Sequence, residues 1–521
     1  MRITNKIMRN NSLYNLNQNK ILEDKLTNQM TNQSKIARPS DDPVVAIRAL
    51  RLRSSVTSVT QYHEKNAADA DQWLSVTADA LTTVDEILKD LYEKATSASN
   101  KDLTADDLDI ILTQMKSLTQ EFYSSGNVDY AGRYVFSGFR TDTAITFSAE
   151  DIENMKKHPV SYNITQNFKY SDIDSFNFTD YDVLSPDNAI NNDGMRADGT
   201  SYEQDITNTK LYRIRLAYDS LDSGSGDPIE SKLTFGSSAG TPTITEFSDA
   251  EEAYRAVSDP SFDGIAYIPS TGELVFSQAY YDKLKEEDTF TISYDKSFVN
   301  DDGTFNWKEG DINPVHYFEC VETRNYKQED EKKVIYNTEV TTLPQDIYYD
   351  VGFNQKIQVN SVASEVFTHN VQRDMDDLRR GLEQLHNIET KISDIKKKMA
   401  DYPEDSDDYK NLTKQLEAAE KAQTYIRENI HTQFENQITK YQDYLDDNNI
   451  AITNNAARGS RLELITTRLM NQQATFKDLQ TDNESIDVTQ VAVELSSSEL
   501  TYEAALMATS KIMQTNLMNY I

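Results

Sequence analysis

Apolar residues recur three and four positions apart near both ends of the chain and lose that rhythm in the middle. At the start, Ile3, Ile7, Leu13, Leu16, Leu22, Leu26 and Met30 follow a helical spacing. The segment is rich in Asn and Gln, weak or middling helix formers, so a helix of this composition is marginal alone in water and needs a partner. Arg38-Pro39-Ser40-Asp41-Asp42-Pro43 interrupts it. Asp42 suits an N-cap and Pro43 the first helical position, where its missing N–H would be unpaired anyway. Val44, Ile47, Leu50, Val56 and Val59 then predict a long helix that runs, with short breaks, to about Tyr123. A turn and restart are expected within Asn100–Asp107, with Thr104 as cap.

Between about 128 and 360 the helical rhythm gives way to short alternating runs rich in Asp, Ser, Thr, Tyr and Phe. Ile265–Ile268 and Leu274–Phe276 flank Pro269-Ser270-Thr271-Gly272, which reads as a β-hairpin. Thr289–Tyr294 and Tyr317–Val321 read as further strands. From about 361 the helical pattern returns. Leu385, Ile388, Ile392, Ile395 and Met399 follow a 3-4 spacing, and Tyr409, Leu412, Leu416, Ala419, Gln423, Ile426 and Ile430 resume it after Pro403 and an acidic run. Two such helices joined by a short turn predict an antiparallel helical hairpin.

The final segment carries a seam of Val488, Val491, Leu495, Ser498, Tyr502, Ala505, Thr509 and Ile512, and Lys511 is the sole charged residue from Ala504 onward. A helix apolar around most of its circumference must be covered. Residues 1–36 are the main match that the chain offers, and one helix pair would leave apolar surface for neighbouring subunits. The expected fold is therefore mainly α: nested terminal-helix coiled-coil domains with an inserted, mostly β domain. The expected boundaries are 1–36 with 485–521 for a terminal assembly domain, and 37–145 with 359–484 for a long-helix domain containing a hairpin over 372–448. Residues 146–358 form the inserted outer domain. The expected assembly residues are Leu16, Leu22, Leu26 and Met30 at one end. At the other they are Val488, Val491, Leu495, Tyr502, Ala505, Leu506, Ile512 and Met513.

Composition narrows the function classes. The 521 residues hold 52 basic and 86 acidic side chains, a formal net charge of -34. Such a polyanion does not bind nucleic acid or an anionic membrane through its bulk. Mean hydropathy is -0.66 and no apolar run is long enough to span a bilayer. The charge is uneven: residues 1–40 carry seven basic and two acidic side chains. The N-terminus lacks the apolar core of a secretory signal peptide, which predicts a cytoplasmic protein or one exported by another route.

Candidate chemistry is sparse. The single cysteine, Cys320, excludes an intramolecular disulfide and reads as a small buried residue rather than a catalytic thiol. His63-Glu64 begins like a zinc motif that fails at Ala67. Asp219, Gly224 and Glu230 fall at the first, sixth and twelfth positions of a calcium loop, but Leu221 and Ser223 occupy ligand positions, so an exposed turn is the plainer reading. Acidic clusters such as Glu286-Glu287-Asp288 and Glu329-Asp330-Glu331 read as solvated surface. No metal, cofactor or catalytic residue is expected.

Several segments carry a family resemblance. They are Met1–Thr4, the 38–43 turn running into Val44–Arg53, and the ending from Lys511 to Ile521. Two more are the run Asn127, Tyr130, Gly132, Arg133, Tyr134, Phe136, Ser137 and Gly138, and Gly459–Leu464 with Arg468 and Leu469. Together they resemble the flagellin superfamily and, within it, the hook-associated branch. The likeness covers roughly 1–145, 361–390 and 435–521. Filament flagellins usually carry a different turn where this chain has Pro39-Ser40-Asp41-Asp42-Pro43. The resemblance implies an extracellular structural subunit of the bacterial flagellum, exported unfolded through the flagellar type III route without a cleaved signal peptide. Its implied partners are flagellin, an adjacent hook-associated protein, further copies of itself in a helical array, and an export chaperone. The alternatives are filament flagellin itself, or an adhesin or surface-binding domain on a flagellin-like stem.

Overall fold

A computed structural model describes residues 5–157, 160–185, 206–223, 232–237, 240, 242–285, 289–298, 306, 311–326, 329–337 and 345–514. Gly224, Glu230 and the acidic run 286–288 lie outside these. The chain is mainly α with an inserted strand-rich region, as the periodicity predicts.

The long helices are α1 (Asn5–Asn32), α2 (Pro43–Thr60), α3 (Ala68–Ala98), α4 (Ala105–Ser125), α5 (Asn370–Met399), α6 (Asp407–Glu484) and α7 (Val488–Gln514). The strands are β1 (Asp129–Tyr130), β2 (Arg133–Tyr134), β3 (Val160–Lys169), β4 (Asp174–Thr179), β5 (Asn208–Arg215), β6 (Leu233–Gly236), β7 (Ile244–Glu246), β8 (Ile265–Ile268), β9 (Glu273–Phe276), β10 (Thr289–Ser297), β11 (Glu319–Tyr326), β12 (Glu329–Tyr336), β13 (Tyr348–Gly352) and β14 (Gln355–Gln358). They divide between two compact units: Met1–Asp71, Tyr348–Ile357 and Gly459–Ile521 in the first, Gln72–Ile347 and Gln358–Arg458 in the second.

In the first unit, Asp42 caps α2 by accepting from the Val44 and Val45 amides at 2.9 and 3.2 Å, with Pro43 as the first helical residue. The preceding Asp41 accepts from the Ala37 and Arg38 amides, so both carboxylates of the 38–43 turn are spent on backbone donors. Beyond α2 the helix widens into a π-helical stretch, Gln61–Ala67. There the Asn66 amide donates to the Asp350 carbonyl at 2.7 Å, which seats the β13–β14 hairpin against the widened turn. The part of α6 from 459 onward is tied to α2: Gln473 Nε2 donates to Thr60 Oγ1 at 2.9 Å, and Arg53 pairs with Glu484.

The second unit packs helices against two five-stranded sheets. Thr104 and Asp107 form a reciprocal capping box at the start of α4, where the expected restart lies. Leu385, Ile388, Ile392 and Ile395 of α5 and Leu412, Ala419, Ile426 and Ile430 of α6 are buried, the expected hairpin seam. The second arm does not stop at a turn; it runs on to Glu484 as one 78-residue helix.

One sheet has the order β12-β11-β3-β10-β6 and the other β4-β5-β9-β8-β7, antiparallel except for the β7–β8 pair. The β8–β9 hairpin pairs Ile265 with Phe276 and Ile268 with Glu273. Its turn requires Gly272, at φ +64°, because a Cβ there would collide with the Tyr218 carbonyl oxygen. The expected Tyr317–Val321 strand begins later, at Glu319, because Pro314–His316 forms a 3-10 turn just before it. Cys320 is buried on β11, and burial pushes its thiol up to about 12, as an inert packing residue requires.

Charge fixes how the β4–β9 sheet meets α5. Arg213 bridges Glu273 at 3.0 Å and Asp377 at 2.6 Å, and Arg215 bridges Asp374 and Asp377, both at 2.7 Å. Arg380 joins Glu273 to Asp377, and Lys440 of α6 reaches Asp374 at 3.0 Å. Burial alone would raise all three carboxyl pKa values; the surrounding guanidinium groups and Lys440 outweigh it and hold them below the usual range. The geometry of this junction therefore rests on these buried ion pairs.

Candidate assembly surface

The two ends of the chain meet in the first unit. Beyond α1, Gln33 takes a left-handed φ of 52°, and the Lys35 amide donates to the Glu484 carbonyl at 2.8 Å. A bridge between Ser34 and Ser485 places the start of α7 beside the end of α1, and the two helices pack along each other.

The expected interface residues separate into two groups. Leu26 and Val491 are buried, and Leu16, Met30, Leu495, Tyr502 and Ala505 are half-buried. With buried Ser498 and Thr509, the α7 members step 4-3-4-3-4 along one face, a heptad seam facing α1. Leu22, Val488 and Leu506 are exposed. The side chains of Ile512 and Met513 lie outside the described ones.

A second stripe is not apparent in the first reading of the sequence. Ile7, Tyr14 and Ile21 of α1 recur every seventh position and are 50%, 64% and 62% exposed. Val493, Leu500 and Met507 of α7 recur likewise and are 66%, 68% and 69% exposed. At about 100° per residue these stripes lie nearly opposite the faces that pair α1 with α7. Each terminal helix is therefore apolar on two sides and covered on one. A seven-residue repeat drifts by about 20° per heptad on a straight helix, which favours a left-handed supercoil with whatever covers it. Val44, Ile47 and Leu50 add a third exposed apolar run on α2. Ile7, Val44, Ile47 and Leu50 belong to the helical spacing seen in the sequence; Tyr14, Ile21, Val493, Leu500 and Met507 fall outside the inner seam and join only through the seven-residue repeat.

Electrostatics match this cover pattern. The first unit contains 16 basic and 16 acidic residues, leaving 36 basic and 70 acidic in the second. The whole net charge of -34 thus belongs to the second unit. Within the first, α1 carries Lys6, Arg9, Lys20 and Lys25 against Glu23 and Asp24, and α7 carries Glu494, Glu499 and Glu503 against Lys511. The two helices are complementary in sign, and copies of this unit approach one another without net repulsion.

The turn at 127–138 belongs to the second unit. Ala131 and Gly132 both take left-handed φ, 52° and 74°, which makes a tight two-residue hairpin between β1 and β2. Its Arg133 guanidinium stacks on Trp73 at 4.8 Å. No group of three or more His, Cys, Asp or Glu side chains arranged to hold a metal occurs among the described residues.

Comparison with known proteins bears on this surface. Residues 3–141 match the family described as the bacterial flagellin N-terminal helical region. Flagellar hook-associated protein 3 of Escherichia coli K12 is 32% identical over 123 residues, which is 23% of this chain and 38% of that protein. Its Salmonella typhimurium namesake is 28% identical over 145 residues, 28% of this chain and 45% of that protein. The chain thus spans less than half the length of these two relatives. Among solved structures, a putative flagellar hook-associated protein from Vibrio parahaemolyticus aligns over 85% of this chain and all of its own, at 12% identity and a TM-score of 0.36. Xanthomonas campestris FlgL aligns over 81% and 99%, at 12% identity and a TM-score of 0.27.

Proposed function

We propose that this chain, whose residues 3–141 match the bacterial flagellin N-terminal helical region, is a structural subunit of the flagellum at the junction between hook and filament. It joins an adjacent hook-associated protein on one side to flagellin on the other, and its work is assembly rather than catalysis. The observation that carries this reading is the second apolar stripe on α1 and α7, which a single copy leaves bare. Burying those side chains against neighbours is worth roughly 1 kcal/mol each, enough when repeated over a many-copy array to offset the ordering cost of each contact. The contact is heterologous: the outer stripe of one copy meets a different surface on the next, so the array grows as a helix of copies. Export in an unfolded state, with a chaperone holding the terminal helices, fits a subunit whose ends are completed only on docking.

A strain lacking the protein tests the reading. It should secrete flagellin without attaching it, and gold-labelled antibody should mark a single band at one junction in the parent. Retained filaments, or label along the whole filament, would replace the junction reading by that of a filament flagellin.

A further inference from the structure

The outer stripe of α7 needs a surface on the next copy, and α2 presents one that fits it. Val44, Ile47 and Leu50 are exposed on a helix that contains Arg48, Arg51 and Arg53 and no acidic residue. Arg53 is held by Glu484 of its own chain, while Arg48 and Arg51 stand in solvent. The apolar line continues as Ser54 and Ser58, seven and eleven positions beyond Ile47 and so on the same side of the helix. These serines line a trough of about 430 Å³ in the first unit. Tyr62, Arg468, Phe476 and Phe353 line it too, and Phe353 is 88% exposed at the tip of the β13–β14 hairpin.

Charge and helix geometry select what this face receives. The outer stripe of α1 carries apolar side chains as well, but Lys6, Arg9, Lys20 and Lys25 outnumber Glu23 and Asp24 on that helix, so it meets the arginines of α2 with like charge. On α7, Glu499 and Glu503 are exposed beside Leu500. At about 100° per residue, Arg51 and Arg48 stand about 40° and 100° round from Ile47 in the sense in which the helix winds. Glu503 and Glu499 stand about 60° and 100° round from Leu500 in the opposite sense. Two right-handed helices laid face to face bring flanks of opposite sense together only when they run parallel. With Arg48 then opposite Glu499 and Arg51 opposite Glu503, Leu500 falls between Ile47 and Leu50. Met507 falls between Ser54 and Ser58, at the trough, where small side chains leave room for a long flexible one. One register thus satisfies both the charges and the apolar positions.

We propose that the exposed face of α2 and its trough receive α7 of a neighbouring copy, docked parallel with Met507 in the trough. The inference rests on the assembly reading above and names the surface that reading requires.

Two variants of the full chain, Ser54→Cys and Met507→Cys, are mixed, assembled and oxidised; Cys320 is buried and stays out of the reaction. Cross-links between the two different variants are expected, with little linking of either to itself. Arg48→Glu combined with Arg51→Glu should weaken assembly at least ten-fold in sedimentation at unchanged melting temperature. Adding Glu499→Arg and Glu503→Arg to the same chain should restore it. Absence of the cross-link, linking of Ser54→Cys to Tyr14→Cys in its place, or normal assembly of the α2 charge variant would overturn the pairing. If Leu500→Ser still weakens assembly in that event, the assembly reading stands and only its receptor is wrong. If Leu500→Ser also assembles normally, both fall.

Discussion

The two units of this chain solve the problem of apolar cover in opposite ways. The second buries most of its large side chains among helices and sheets, with Ile110, Phe139, Ile335 and Ile450 exposed at scattered positions, and it carries all of the net -34. The first is electrically balanced and leaves Ile7, Tyr14, Ile21, Val493, Leu500 and Met507 in solvent. A strongly acidic unit and a charge-balanced unit with bare apolar stripes, on one chain, are what the proposed subunit needs: one part to polymerise and another to stay solvated. The contrast teaches that exposed apolar area is informative only against local charge: the same stripe on the acidic unit would be far less able to attract a second copy.

The largest effect should come from removing the inviting surface. Deletion of residues 486–521 should abolish incorporation into the polymer while the second unit still melts cooperatively. Normal incorporation would erase the distinction between the units. Next is the charge lock of the second unit. Asp377→Ala leaves Arg213, Arg215 and Arg380 short of a buried partner and should cost about 3–5 kcal/mol in chemical denaturation, since an uncompensated buried charge dominates the balance. Polymerisation by any surviving folded fraction should be unaffected.

Smaller but more discriminating is Leu500→Ser, on the outer stripe. It should change the stability of the isolated chain by less than about 0.5 kcal/mol, as exposed positions do, yet slow or weaken assembly several-fold in sedimentation. Val491→Ser, on the inner seam, should lower both. Equal behaviour of the two variants would show that the outer stripe is ordinary surface.

The pH dependence separates the units again. Burial, reinforced by Arg140, lowers the His316 pKa to about 4 in the folded second unit. The unfolded chain takes up that proton near pH 6.5. Stability contributed by neutral His316 is therefore full above about pH 6.5 and is lost as pH falls toward 4, by about 3 kcal/mol in all. The depressed carboxylates of the charge lock lose their contribution at lower pH still, below the ordinary carboxylate range. Acid unfolding followed by near-ultraviolet circular dichroism should thus begin in the second unit, and His316→Gln should move the onset to lower pH.

Legibility from sequence follows the same division. The helix starts at Asp42 and Thr104 were readable because capping is a local code of one or two side chains. The Ile265–Phe276 hairpin was readable for the same reason, with its turn chemistry and glycine in place. The inner seam at Leu26 and Val491 was readable as spacing. The arrangement of ten strands into two sheets was not, because β3 pairs with β10 and β11 across more than a hundred residues and nothing local encodes such partners. The lock of Arg213, Arg215, Asp374 and Asp377 was equally hidden, since its members look like any surface charges until tertiary contact buries them. The outer stripe is legible as a seven-residue repeat, but spacing alone does not say which of two apolar faces a partner helix covers.

The most direct test of the central claim is amide hydrogen exchange over residues 5–32 and 488–514, measured on dilute single chains and again on assembled polymer. Weak protection in the single chain, where only the inner seam pairs the two helices, that rises strongly in the polymer is the expected result. Equal, strong protection in both would mean that the terminal helices are complete without neighbours, and the account of assembly built on their bare stripes would fail.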